Sequence, residues 1–82
     1  MAITLKLFSS LMEYLPSGSE GNTVIVRVQS SLSCNQLIDR YGIPRNAVQV
    51  TMVNGQYLSP EHRDRPLSDG DTISVWPSIQ GG

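Results

Sequence analysis

Most of what catalytic, metal-binding and nucleic-acid-binding chains carry is missing from this sequence. It has one cysteine, Cys34, so no intrachain disulfide can form. It has one histidine, His62, and no second His or Cys stands at metal-ligand spacing from it. No nucleophile is paired with that histidine, and no phosphate-binding loop occurs. These absences argue against an enzyme with an active site of its own and against a bound cofactor. The net charge is −1, and Arg63 and Arg65 are interleaved with Glu61 and Asp64, so no basic patch is available for nucleic acid. No apolar run approaches the length of a membrane span, and the start does not read as a signal peptide. The expectation is a cytoplasmic protein with neither membrane nor nucleic acid as partner.

What remains is an ordinary small domain. A length of 82 residues, with 39% hydrophobic and 16% charged side chains, suits one folded unit. A chain this short buries roughly 60% of its unfolded surface, enough for one core.

Ile3, Leu5 and Leu7 alternate with Thr4, Lys6 and Phe8, which predicts a strand with one buried face. Ser9 to Leu15 reads as a short helical turn, with Leu11, Met12 and Leu15 at helical spacing. Residues 16–22 are a loop by composition. Thr23 to Val28 reads as a second strand with Val24, Val26 and Val28 facing one way. Ser33-Cys34-Asn35-Gln36 fits a capping box. Cys34, Leu37, Ile38 and Tyr41 then fall on one helical face, Gly42 supplies a C-cap and Pro44 forbids continuation. Val48, Val50 and Met52 alternate with Gln49, Thr51 and Val53 as a third strand. Asn54-Gly55 is the strongest hairpin-turn dipeptide, followed by a short return strand over residues 56–58. Ser59 to Pro66 is a polar loop, read as a solvated rim.

The last sixteen residues organise the rest. Asp69-Gly70-Asp71 is turn chemistry. Thr72 to Trp76 alternates, with Ile73 and Val75 toward a core and Trp76 on the other face, so this strand is expected to be central. Pro77 ends the pairing. Residues 78–82, Ser78-Ile79-Gln80-Gly81-Gly82, bury almost nothing and are expected to form a flexible tail behind a domain of residues 1–77. Without Cβ atoms, Gly81 and Gly82 can thread a channel too narrow for other residues and present the terminal carboxylate to a partner enzyme. The element order puts one helix across one face of a mixed sheet of four to five strands, joining two strands that run parallel. That is an α+β fold of the β-grasp, ubiquitin-like type.

Val53-Asn54-Gly55 before a short strand, Leu67-Ser68-Asp69-Gly70-Asp71 before the last strand, and Gly81-Gly82 at the end together resemble the ubiquitin-like sulfur carriers of the ThiS and MoaD group. The resemblance spans essentially the whole chain. It implies that an E1-like adenylyltransferase, using ATP, activates the carboxylate of Gly82. A sulfurtransferase or other sulfur donor then leaves a thiocarboxylate there, for a downstream synthase subunit to consume. The carrier itself would bind no cofactor. Length favours the MoaD-like members, whereas Pro77-Ser78-Ile79-Gln80 is less apolar than their usual lead-in, so the molybdopterin and thiamine pathways both stay open. The middle of the chain also resembles the ubiquitin-like domain fused to certain nuclease-like domains, where a diglycine need not be used.

Cys34 could hold persulfide sulfur, but its place on the apolar helix face reads as a core thiol. Trp76, Phe8 and Ile79 are the candidates for a partner-binding apolar patch next to the tail. Besides a sulfur carrier, two other functions fit: a modifier conjugated to proteins through Gly82, and a binding module that works through its sheet face alone.

Overall fold

The computed structural model describes residues 1–78. Five strands form one sheet: β1 (Ala2–Leu7), β2 (Thr23–Arg27), β3 (Val48–Val53), β4 (Gln56–Tyr57) and β5 (Thr72–Pro77). Their order across the sheet is β2-β1-β5-β3-β4, which makes β5 the middle strand. β1 and β5 are parallel, and the other three pairings are antiparallel. β2 and β3 therefore run in the same direction on opposite sides of the β1–β5 pair. The helix α1 (Cys34–Arg40) makes the crossover between them. This is the β-grasp arrangement read from the element order.

The helix ends follow the chemistry of their residues. The Ser33 hydroxyl accepts from the Gln36 N–H at 3.1 Å, and the Gln36 side chain accepts from the Ser33 N–H at 2.8 Å. Two backbone donors that the first turn leaves without partners are thus satisfied. At the other end Gly42 takes φ +73, its N–H donates to Asp39, and the Ile43 N–H reaches back to Ile38. That pair of bonds is a Schellman closure, with Ile38 and Ile43 both buried beneath it. Seven residues do not make a stable isolated helix. Cys34, Leu37 and Ile38 hold it by packing on Ile3, Leu5, Leu7, Ile73 and Val75 of the two central strands.

The two turn motifs at the far end of the sheet brace each other. Asn54 and Gly55 both have positive φ, 53° and 81°, as a type I′ turn requires. Asn54 Nδ2 donates to the Asp71 carboxylate at 2.9 Å, while Asn54 Oδ1 accepts from the Thr72 N–H at 2.9 Å. Asp71 also accepts from the Ser68 N–H, and Asp69 accepts from the Ala2 N–H. These carboxylates tie the start of β5 to β1 and to the β3–β4 hairpin.

Three readings of the sequence need correction. Within the helical turn Ser9–Tyr14 only Leu11 is buried, and Met12 is 43% exposed, because the turn is a 3₁₀ helix with a tighter repeat than the α spacing assumed. In β3 simple alternation would send Val48, Val50 and Met52 to one face. Instead Val48 pairs with Pro77 and Val50 with Trp76, so two steps of β3 match one step of β5. The bulge at Gln49 reverses the facing of the rest of the strand. Thr51 is fully buried opposite Val75, while Val50 and Met52 turn to the face away from the helix. The loop 59–66 is also more than a solvated rim, since Arg63 within it is buried.

Candidate functional site: the end of the central strand

β5 carries Ile73 and Val75 into the core and Trp76 out of the opposite face. Because β1 runs parallel beside it, with Leu7 level with Val75, Phe8 comes next to Trp76 on that outer face. Their rings stack with centroids 4.4 Å apart and planes within 8°. Val50 lies directly across from Trp76 on β3, delivered there by the bulge. After Phe8 the chain turns sharply: Ser9 adopts φ +56, in the left-handed region where a residue with a Cβ is strained. The turn brings Ser9 and Ser10 back beside β5. The result is a mostly apolar groove of about 580 Å³ lined by Ser9, Val50, Met52, Trp76, Pro77 and Ser78.

The groove lies where the chain leaves the sheet. Ser78 borders it, its N–H donating to Ala47 at 3.2 Å and its hydroxyl to Gln49 at 3.3 Å. Against the sequence reading, Pro77 does not end the pairing and Ser78 does not belong to a free tail: Pro77 still pairs with Val48, and the backbone is held in register up to Ser78, because a proline lacks only the donor and the next N–H resumes the ladder. Ile79, Gln80, Gly81 and Gly82, which the sequence marks as the carboxylate-bearing arm and part of the partner patch, lie outside the described residues. Of the residues named for that patch, the structure brings Phe8 and Trp76 together. Val50 and Met52 were not singled out, because only the bulge reveals their side of the sheet.

The remaining candidates lie elsewhere. Cys34 is fully buried, and burial pushes its thiol above the ordinary value; the Arg63 guanidinium and the Thr51 hydroxyl pull weakly the other way. Thr51 Oγ1 sits close enough to favour the thiolate without meeting the geometry of a full hydrogen bond. His62 Nδ1 is 3.1 Å from the Ser59 hydroxyl across one turn. Among the described residues no three His, Cys, Asp or Glu side chains are grouped to hold a metal. No helix among them is long and apolar enough to cross a membrane.

A small mixed sheet gripping one helix, with its central strand running out past an apolar face, is the architecture of the ubiquitin-like proteins. Within that class, the model of the Mut7-C ubiquitin family matches residues 1–81, and the chain belongs to this family. Two solved structures share the fold. The crystal structure of SAMP1 from Haloferax volcanii is 21% identical with a TM-score of 0.66, and the match covers 100% of both chains. A chain from the complex of subunits 1 and 2 of molybdopterin-converting factor from Helicobacter pylori 26695 is 15% identical with a TM-score of 0.55, again over 100% of both chains. No curated protein sequence matches the chain.

Proposed function

We propose that this protein is a ubiquitin-like carrier whose Gly82 carboxylate is adenylated by an E1-like enzyme and converted to a thiocarboxylate for sulfur transfer in cofactor biosynthesis. The observation that carries the reading is the placement of the exit point. The middle strand, anchored on both sides, ends beside an apolar groove lined by Trp76, whose ring is stacked on Phe8. A partner that closes on the groove has a fixed reference from which to receive the last four residues, about 13–14 Å of extended chain. The chemistry asks little of the carrier. A carboxylate is a poor electrophile, and ATP in the partner turns it into an acyl adenylate with AMP as leaving group. Sulfur from the donor then displaces AMP. On this reading the carrier is substrate and handle, and its partners are the adenylyltransferase, the sulfur donor and a synthase subunit. The solved complex of the two molybdopterin-converting factor subunits supports the last of these by likeness of fold.

The test is ATP-dependent exchange of pyrophosphate with an E1-like partner. Deleting Gly82 leaves a carboxylate about 3.3–3.6 Å short of the reacting phosphorus, and misplacement by about 1 Å can cost roughly a hundredfold in rate. Extending the chain converts the reacting group to an amide. Gly81→Val keeps the reach but places a β-branched side chain in a channel shaped for bare backbone. All three should abolish exchange with the melting temperature unchanged. Exchange by the deleted and extended forms equal to wild type would leave the groove as the working part and the protein as a non-covalent binding module. The intact mass after reaction separates carrier from modifier: a gain of about 16 mass units accompanies replacement of oxygen by sulfur, whereas conjugation moves the protein onto its targets.

A further inference from the structure

One buried group serves neither the core nor the tail. Arg63 is 8% exposed, and its Nε and Nη2 atoms have no hydrogen-bond partner among the described residues. A guanidinium with two of its three nitrogens removed from water and unpaired, and with no counter-ion among the described residues, is disfavoured. Backbone and side-chain bonds hold it there. The Asn35 N–H donates to the Arg63 carbonyl at 3.0 Å, Asn35 Nδ2 donates to Asp64 at 2.7 Å, and the Leu67 N–H donates to Leu32 at 2.8 Å. Ser33 and Pro66 add an isolated bridge. Residues 63–67 are thus fastened against residues 32–35, and Cys34 within that stretch has none of its surface exposed and is close enough for the Arg63 charge to act on its thiol. Thr51 Oγ1 is a third buried atom without a partner in the same neighbourhood.

We propose that residues 59–67 form a strap that lifts from the start of the helix while the sheet stays folded, and that the open form exposes Cys34 to thiol–disulfide exchange with small disulfides. Lifting the strap returns the Arg63 donors to water, so the molecule recovers hydration that the closed form denies it. Few anchors resist. Between β4 and β5 the only regular element is the short turn Pro60–His62, and of the apolar side chains in this stretch Leu58 and Leu67 pack at the margin of the core. Local opening of such a segment lies well below the free energy of global unfolding. In the open form the Cys34 thiol loses its proton and attacks one sulfur of the disulfide. That S–S bond breaks as a new one forms, and the other half leaves as a thiolate that takes up a proton. This inference does not depend on the fate of Gly82.

The experiment follows labelling of the full chain by dithiodipyridine at urea concentrations below the unfolding transition, beside the equilibrium unfolding curve. Wild type should be labelled at least about tenfold faster than global unfolding allows, with a rate nearly independent of urea. Leu11→Val, in the turn after β1, lowers global stability and should leave this rate within about twofold. Arg63→Met, which keeps the length of the side chain and removes the buried charge, should slow labelling by about tenfold or more. Arg63→Gln serves if the Met variant does not fold. Labelling that follows the urea dependence of global unfolding, or an Arg63 variant labelled as fast as wild type, would overturn the proposal.

Discussion

Removing one ring of the Phe8–Trp76 stack tests whether the outer face is built as described. The centroid separation of 4.4 Å and the near-parallel planes place this pair in the range where aromatic contacts contribute about 0.5–1.5 kcal/mol beyond area burial. Both rings are half-buried, so Trp76→Ala should cost about 2 kcal/mol, below the roughly 3–5 kcal/mol of a fully buried aromatic. For a domain of this size that is a fall in Tm of about 8–16 °C. Phe8→Ala should cost somewhat less. The double variant should lose about 1 kcal/mol less than the two single losses combined, because the stack can be removed only once. Urea unfolding of the four proteins measures the cycle. Trp76 is the sole tryptophan, so its emission also reports directly on the pair and should shift to the red in Phe8→Ala. Additivity of the two single losses within about 0.3 kcal/mol would refute the stack as a coupled unit. If the groove engages the activating partner, Trp76→Ala should also weaken pyrophosphate exchange by about thirtyfold or more, as loss of a central aromatic anchor does.

Leu37→Ala removes a fully buried side chain from the helix face and should cost roughly 2–5 kcal/mol, read as a loss of the denaturation midpoint; a cost under about 1 kcal/mol would mean that the helix is not clamped to the sheet. Cys34 makes a pH prediction. Burial raises its thiol above the ordinary 9.0, so the folded state holds the proton over a range where the unfolded chain has lost it. The associated stability is complete below about pH 9 and is lost as pH rises through the folded-state value. The gap in Tm between wild type and Cys34→Ala should therefore be constant at neutral pH and shrink in alkali. A gap unchanged well above pH 9 would contradict a buried thiol. Cys34→Ala should also leave sulfur acceptance at Gly82 intact; loss of transfer in a well-folded variant would give the thiol a part in the chemistry.

The parts of this protein that could be read from the residues are those whose chemistry is local. A capping box needs only Ser33 and Gln36, three positions apart, and the helix begins there. Gly42 closes the same helix because one residue must take positive φ. Asn54-Gly55 makes its turn by the same backbone logic. Alternation in β1 and β5 gives the right face because neither strand is interrupted, and Ile3, Leu5, Leu7, Ile73 and Val75 are all fully buried. The centrality of β5 also followed from its sequence, since its core face is wholly apolar. The tail chemistry, by contrast, rests on residues 79–82 and on resemblance.

The tertiary structure decided whatever depends on which strand meets which. The bulge at Gln49 is a mismatch between two strands with the β4 hairpin and a long loop between them in the chain, and nothing in Val48 to Val53 announces it. Yet it moves Thr51 into the core and sends Val50 and Met52 to the groove. Phe8 and Trp76 stack because β1 and β5 are parallel neighbours in one particular register. Arg63 sits in a run of charges that composition assigns to water, but bonds from Asn35 and Leu67 draw it against the helix. The first two are set by long-range strand pairing, in which the energy of the whole sheet overrides the preference of a single residue, and the third by loop-to-helix bonds across the chain. Turns and caps are decided within a few residues; faces and grooves are decided by the partner strand, and the buried charge by the loop's bonds to the start of the helix.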